Sequence, residues 1–318
     1  MPDHMKKKVL LIGASQMAID YFNVLHALGC DITVIGRGAA SAAAFEASTG
    51  QKIITGGLSQ FLGSNKVNFD ATIVSVGVEE LAPASIELIK KGFRNILVEK
   101  PAGLNDKEIR DFAAFAEEHH ATVLLAYNRR FYSSVIKAKE MIAQDGGVTS
   151  FHFEFTEWAH AIEPLEKKPG IKENWFMVNS SHVIDMAFFL GGKPSEISCY
   201  TAGKLSWHDP AVYSGAGRTA DNALFSYMAN WNAPGRWSVE MLTKNYRLIF
   251  KPLEELLIQP KGSVSIEKVE FDDSLDKKFK PGLFIQTKKF LEGDISEFKT
   301  IGQQAEMLEM FSRIANRK

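Results

Sequence analysis

The chain has 318 residues, 45% of them hydrophobic and 24% charged, the balance of a soluble globular protein with room for two domains and a sizeable core. Its 37 basic and 38 acidic residues leave a formal net charge of −1, which argues against nucleic acid or an anionic membrane surface as a partner. Two cysteines, Cys30 and Cys199, are too few for a disulfide framework or a cysteine zinc site and fit a reducing compartment.

The N-terminus, Met1 to Lys8, lacks the apolar centre of a signal peptide, and no stretch approaches the length of a membrane span. The expected location is the cytoplasm, with Met5 a candidate natural start. Short β-rich runs then alternate with helical patterns, as a parallel sheet with crossover helices requires. Val9 to Ile12 reads as a strand and Met17 to Leu28 as a helix closed by Gly29. Asp31–Ile35 (strand), Ala39–Ser48 (helix), Ala71–Ser75 (strand) and Ala82–Lys91 (helix) follow. Ile96 to Val98 is the next strand, then a helix over Asp106–His119 and a strand over Thr122–Tyr127. These strands are apolar throughout, as strands covered on both faces are.

Beyond residue 127 the pattern changes. Ser150 to Thr156 alternates with period two, the mark of an antiparallel strand with two unlike faces. Further strands are expected at Ser195–Tyr200, Asn222–Trp231, Trp237–Thr243, Tyr246–Phe250 and Glu255–Gln259. Helices are expected at Tyr132–Gln144, Ser181–Leu190, Gly282–Leu291 and Ile301–Asn316. The expected fold class is α/β: a doubly wound Rossmann domain over 1–127, then an α+β domain over 128–318 with an open, mainly antiparallel sheet. A broad sheet face with no helices left to cover it predicts a homo-oligomer, a dimer or a tetramer.

The first strand runs into Gly13-Ala14-Ser15-Gln16-Met17-Ala18, a G-x-S-x-x-A version of the dinucleotide turn. Gly13 permits the tight turn and Ala18 allows close helix–strand packing, while Ser15 replaces the glycine that lets backbone approach a pyrophosphate. The helix start after it, with Gln16 and Met17, offers free amides to phosphate. The second strand ends on Ile35-Gly36-Arg37-Gly38, with no carboxylate in reach to accept from a ribose 2′-hydroxyl. Arg37 offers a planar fork to a 2′-phosphate, so NADP is expected ahead of NAD. Ser75, at the end of the third strand, is a further cofactor candidate.

Ligands of open parallel sheets bind beyond the carboxyl ends of the strands. Glu99-Lys100-Pro101 stands at such an end, so Lys100 is aimed at the same crevice as the cofactor. Pro101 confines Lys100 to extended conformations. Glu99 either pairs with Lys100 or accepts from a backbone N–H. Asn128 closes the fifth strand and is placed to meet cofactor or substrate; Arg129 and Arg130 are either part of that site or structural ion pairs.

Glu99-Lys100-Pro101 after a strand, Gly13 upstream, Asn128-Arg129-Arg130-Phe131 downstream, His182-Val183-Ile184-Asp185 before Leu190-Gly191-Gly192, and the stretch FIQTKKFLEG at 284–293 form an ordered set. That set resembles the glucose–fructose oxidoreductase / inositol dehydrogenase / MocA (Gfo/Idh/MocA) family over nearly the whole chain. The resemblance implies a nicotinamide cofactor on the first domain, an open sheet that often forms the oligomer interface, and a small-molecule substrate derived from a sugar or inositol. It implies an oxidoreductase with Lys100 and His182 as the acid/base pair. The family pattern D-x-G-x-H is here Val178-Asn179-Ser180-Ser181-His182, so the usual acid is absent. A non-catalytic NAD(P)-sensing protein of the same fold is the alternative. Asp185 either orients His182 or solvates its helix. Asn179 and Trp175 are candidate substrate contacts, and Lys167, Lys168 and Lys172 either grip an anionic sugar or solvate a loop. No His/Cys/carboxylate cluster has metal-ligand spacing, and no G-x-S-x-G elbow is present.

Overall fold

A computed structural model describes residues 6–64 and 68–316; the candidate start Met5 lies outside them. The chain divides into two compact units, Met1–Asn128 with Leu275–Glu306 and Arg129–Ser274 with Met307–Lys318. The single cut at 127/128 expected from sequence leaves out the return of 275–306 to the first unit.

In that first unit β1 (Lys8–Ile12), α1 (Gln16–Ala27), β2 (Asp31–Ile35), α2 (Ala39–Thr49) and α3 (Gly57–Ser64) are followed by β3 (Ala71–Val74), α4 (Leu81–Lys90), β4 (Asn95–Val98), α5 (Asp106–Glu118) and β5 (Thr122–Leu125). The second unit begins with α6 (Ser133–Gln144), β6 (Ser150–Glu154), α7 (Ala159–Ile162), α8 (Ser181–Gly191), β7 (Pro194–Ala202) and β8 (Val212–Thr219). It continues through β9 (Leu224–Asn230), β10 (Ser238–Leu242), β11 (Tyr246–Phe250), β12 (Leu257–Pro260) and β13 (Glu267–Lys268). The chain closes with α9 (Ser274–Lys278), α10 (Leu283–Glu292), β14 (Lys299–Thr300) and α11 (Ile301–Ile314).

The first sheet has the order β14-β5-β4-β3-β1-β2, with β1 to β5 parallel and β14 antiparallel to β5. Strand order reverses between β1 and β3, the switch point where such sheets open a ligand crevice. Helix α5 starts on a reciprocal side-chain cap. Asn105 Oδ1 accepts from Glu108 N at 3.0 Å, and Glu108 Oε2 accepts from Leu104 N at 2.8 Å.

The second sheet has eight strands, β13-β12-β11-β10-β6-β9-β8-β7, antiparallel except for the β6–β9 pair. Its inner face carries Phe151, Phe153, Phe225 and Tyr227, and Phe188 of α8 packs edge-on against the three phenylalanines. Its other face exposes Tyr200, Leu224 and Met228. The sequence reading missed β8, because Gly215 and Gly217 weaken its strand pattern. The structure explains the glycines: a Cβ at 215 would stand 2.4 Å from the Tyr227 ring, and one at 217 would stand 2.0 Å from the Glu196 carbonyl. Large aromatic side chains on β9 occupy the space that side chains on β8 would need.

Candidate active site

The switch point of the first sheet holds a cleft of about 410 Å³ lined by Gly13, Ser15, Arg37, Ser75, Glu79 and Glu80, among others. Gly13 has φ +131°, and a Cβ there would lie 2.0 Å from the Ser75 carbonyl, so only glycine fits. Ser15 occupies the N-cap of α1 in extended conformation, and its hydroxyl makes no capping bond. The Ser75 hydroxyl is buried and meets no hydrogen-bond partner among the described residues. A glycine turn without side-chain bulk, an uncapped helix start and a buried unsatisfied hydroxyl suit a dinucleotide pyrophosphate. Gln16, by contrast, turns along its helix and donates to Asp20 Oδ1 at 3.0 Å. Neither Gln16 nor Met17 lines the cleft.

One expectation is corrected here. A carboxylate does reach Arg37: Glu80, from the short 3-10 turn Val78–Glu80 after β3, pairs with it at 3.0 Å. Nothing near Arg37 in sequence announces this pair, which forms across two strand ends. Both side chains are well exposed, so the pair holds Arg37 only weakly.

Glu99 follows β4 and is half-buried. Its Oε1 accepts from Tyr21 Oη at 2.9 Å, and Tyr21 Oη accepts from Gln286 Nε2 at 3.1 Å. Burial pushes the Glu99 carboxyl up, opposed by Lys100, Tyr21 and Lys280. Burial and the Glu99 charge push the Tyr21 phenol well up. Helices α1 and α10 therefore clamp the residue that precedes Lys100. The Lys100–Pro101 peptide is cis. Asn128 is buried, and its amide donates to the Pro281 carbonyl at 2.9 Å, which ties the end of β5 to the start of α10. None of Glu99, Lys100 and Asn128 lines the switch-point cleft.

In the second unit a π-helical turn, Phe176–Ser180, leads into α8 and His182. His182 is buried with its ring centroid 6.3 Å from that of Trp237. Asp185 faces Arg130, whose Nε donates at 2.7 Å and Nη2 at 2.8 Å to its two oxygens; the Arg130 side chain is 10% exposed and that of Asp185 1%. Asp185 is thereby committed to a structural pair, and so is Arg130. Asn179 is committed too. Its amide donates at 3.0 Å to both oxygens of Glu157, which also accepts from Ser180 Oγ at 2.7 Å. Burial pushes the Glu157 carboxyl up, and the hydroxyl, the amide and Arg236 at 3.7 Å pull it back. Trp175 packs edge-on against Trp207. In the lysine loop, Lys172 donates to the Glu163 carbonyl at 2.6 Å, while Lys167 and Lys168 are exposed.

Sequence reading missed Glu157, Arg236 and Trp237. A signal for Glu157 existed. Phe151, Phe153 and Phe155 all point inward, and period two puts residue 157 on the same side.

No family model matches the chain, and no curated protein does. Solved structures match over nearly its whole length. Levoglucosan dehydrogenase with NADH and L-sorbose is 16% identical with a TM-score of 0.79, covering 98% of this chain and 96% of that one. The WlbA dehydrogenase from Bordetella pertussis with NADH and UDP-GlcNAcA is 16% identical, TM-score 0.74, with the same coverage of 98% and 96%. An oxidoreductase from Agrobacterium radiobacter with NAD+, L-tartaric acid and magnesium is 12% identical, TM-score 0.75, covering 98% and 94%. The chain thus has the two-domain fold of these oxidoreductases, the fold that its motif set implied.

Proposed function

We propose that the chain is an oxidoreductase that moves hydride between a nicotinamide dinucleotide and a sugar or sugar-derived substrate. The switch-point cleft carries the reading, with its obligatory Gly13 and unsatisfied Ser75 hydroxyl. The sugars and nicotinamides bound by proteins of the same fold support it.

A nicotinamide dinucleotide held at the switch point by the Gly13 turn would supply the hydride acceptor or donor. The chain must supply the rest: a base for the hydroxyl proton when the substrate is oxidised, and an acid for the same oxygen when it is reduced. His182 and Lys100 take these roles, with His182 as the base and the Lys100 ammonium polarising the oxygen or sharing its proton. Neither needs the acid that Val178 replaces. Glu99, clamped by Tyr21, fixes the backbone from which Lys100 projects.

Arg37 meets a 2′-phosphate, and Glu80 competes for it. NADP is therefore preferred over NAD by a modest factor that grows when Glu80 is neutralised. The second sheet's exposed face, with Tyr200, Leu224 and Met228, joins copies of the chain into a dimer or tetramer.

Mutation of the pair tests the mechanism. Lys100→Met and His182→Ala should each lower turnover by ~10²-fold or more while cofactor affinity, read by calorimetry, stays within severalfold. The double variant should lose less than the product of the two, because the groups act as a unit. Near-normal turnover by Lys100→Met on a substrate of the wild type contradicts the assignment.

A further inference from the structure

We infer that the second unit carries a carboxylate-binding subsite, built from Arg129, Trp237 and Arg236 beside His182, and that the substrate is an acidic sugar derivative. The inference takes its reaction from the oxidoreductase reading and its ligand from geometry alone.

Two buried donors meet no acceptor among the described residues. Trp237 is 6% exposed, and its indole Nε1 meets no partner among the described residues. The Nε of Arg129 is likewise buried and without a partner. A buried donor left unsatisfied is costly, so two on adjoining side chains mark a place for an acceptor from outside the chain. They do adjoin: the Arg129 guanidinium lies 4.7 Å from the Trp237 ring centroid. The Arg236 guanidinium lies 4.7 Å from the same ring and 4.7 Å from the Trp158 ring, and His182 stands against the Trp237 indole too. The result is a cationic, aromatic-walled patch at the proposed base.

Charge selects the anion. Glu157 and Glu254 are the carboxylates whose charge reaches Arg129, and Glu157 also lies 3.7 Å from Arg236. These carboxylates offset part of the arginines' charge, so a singly charged anion fits the patch better than a phosphate dianion. A carboxylate carries one charge and two coplanar oxygens, which suits a guanidinium edge and one indole N–H. The exposed lysines of the 159–174 loop are not needed for this recognition.

Calorimetric titration of the whole 318-residue chain tests it, with D-glucuronate and D-galacturonate as probes against D-glucose and D-galactose. At least one hexuronate should bind about tenfold or more tightly than its neutral twin, the effect of one charge-assisted hydrogen bond. Arg129→Gln should weaken that binding by about ten- to a hundredfold, and Trp237→Phe, which keeps the ring and removes only the N–H, by severalfold to tenfold. Circular dichroism confirms that each variant folds; if Arg129→Gln does not, Trp237→Phe and Arg236→Gln carry the test. Equal binding of acid and neutral sugar overturns the subsite, as does binding that ignores these substitutions. Tighter binding of glucose 6-phosphate overturns the choice of carboxylate. A hexuronate that binds as expected but is never oxidised or reduced upholds the subsite and counts instead against the oxidoreductase reading.

Discussion

The switch-point cleft of the first unit and the His182 region of the second organise their polar groups in opposite ways. In the cleft, Gly13, Ser15 and Ser75 present backbone and hydroxyl with little claim on one another, and the ion pair of Arg37 with Glu80 is exposed and weak. Around His182, nearly every side chain named from sequence is already held by a neighbour: Asp185 by Arg130, Asn179 and Ser180 by Glu157. Side chains that hold one another build a scaffold, and those left with unsatisfied donors, Arg129 and Trp237, are where a ligand belongs.

Gly13 gives the sharpest way to break this contrast. Gly13→Val should abolish measurable cofactor binding, since a Cβ would stand 2.0 Å from the Ser75 carbonyl and φ is +131°. Calorimetry with NADPH and NADH reads the loss; wild-type affinity in the variant would mean that the cofactor lies elsewhere.

Asp185→Ala tests the scaffold side. It strands Arg130, so unfolding by denaturant should show a loss of about 3–5 kcal/mol, with KM little changed. Intact stability and a raised KM would return Asp185 to the substrate.

Glu80→Gln should shift the NADP/NAD affinity ratio upward by a few fold, the scale of an exposed pair worth up to about 1 kcal/mol, and Arg37→Ala should reverse the shift. A ratio that ignores both substitutions would remove Arg37 from cofactor choice. Light scattering at micromolar protein should show a dimer or tetramer; a monomer would leave the exposed sheet face unexplained.

Sequence carried the first unit well because its information is local. A glycine turn after a strand, apolar runs for covered strands and a lysine at a strand end need no knowledge of distant residues. What it missed is non-local. Glu80 meets Arg37 only through the fold, and Gln286 reaches Tyr21 from 265 residues away. Strand β8 hid behind glycines whose reason, Tyr227 and Phe225, lies on another strand. Glu157 was half legible: its parity pointed inward, but its partners Asn179 and Arg236 are remote in sequence.

The central claim is hydride transfer, and absorbance of the reduced nicotinamide tests it most directly. The wild-type protein would be incubated with NADP or NAD and a panel of sugars, inositols and their acid derivatives, and with the reduced cofactors and the corresponding carbonyl compounds. The account predicts turnover on at least one acidic sugar derivative, lost by ~10²-fold or more in Lys100→Met. No turnover on any compound, with cofactor binding intact, would contradict it and make the chain a nicotinamide sensor on a dehydrogenase fold.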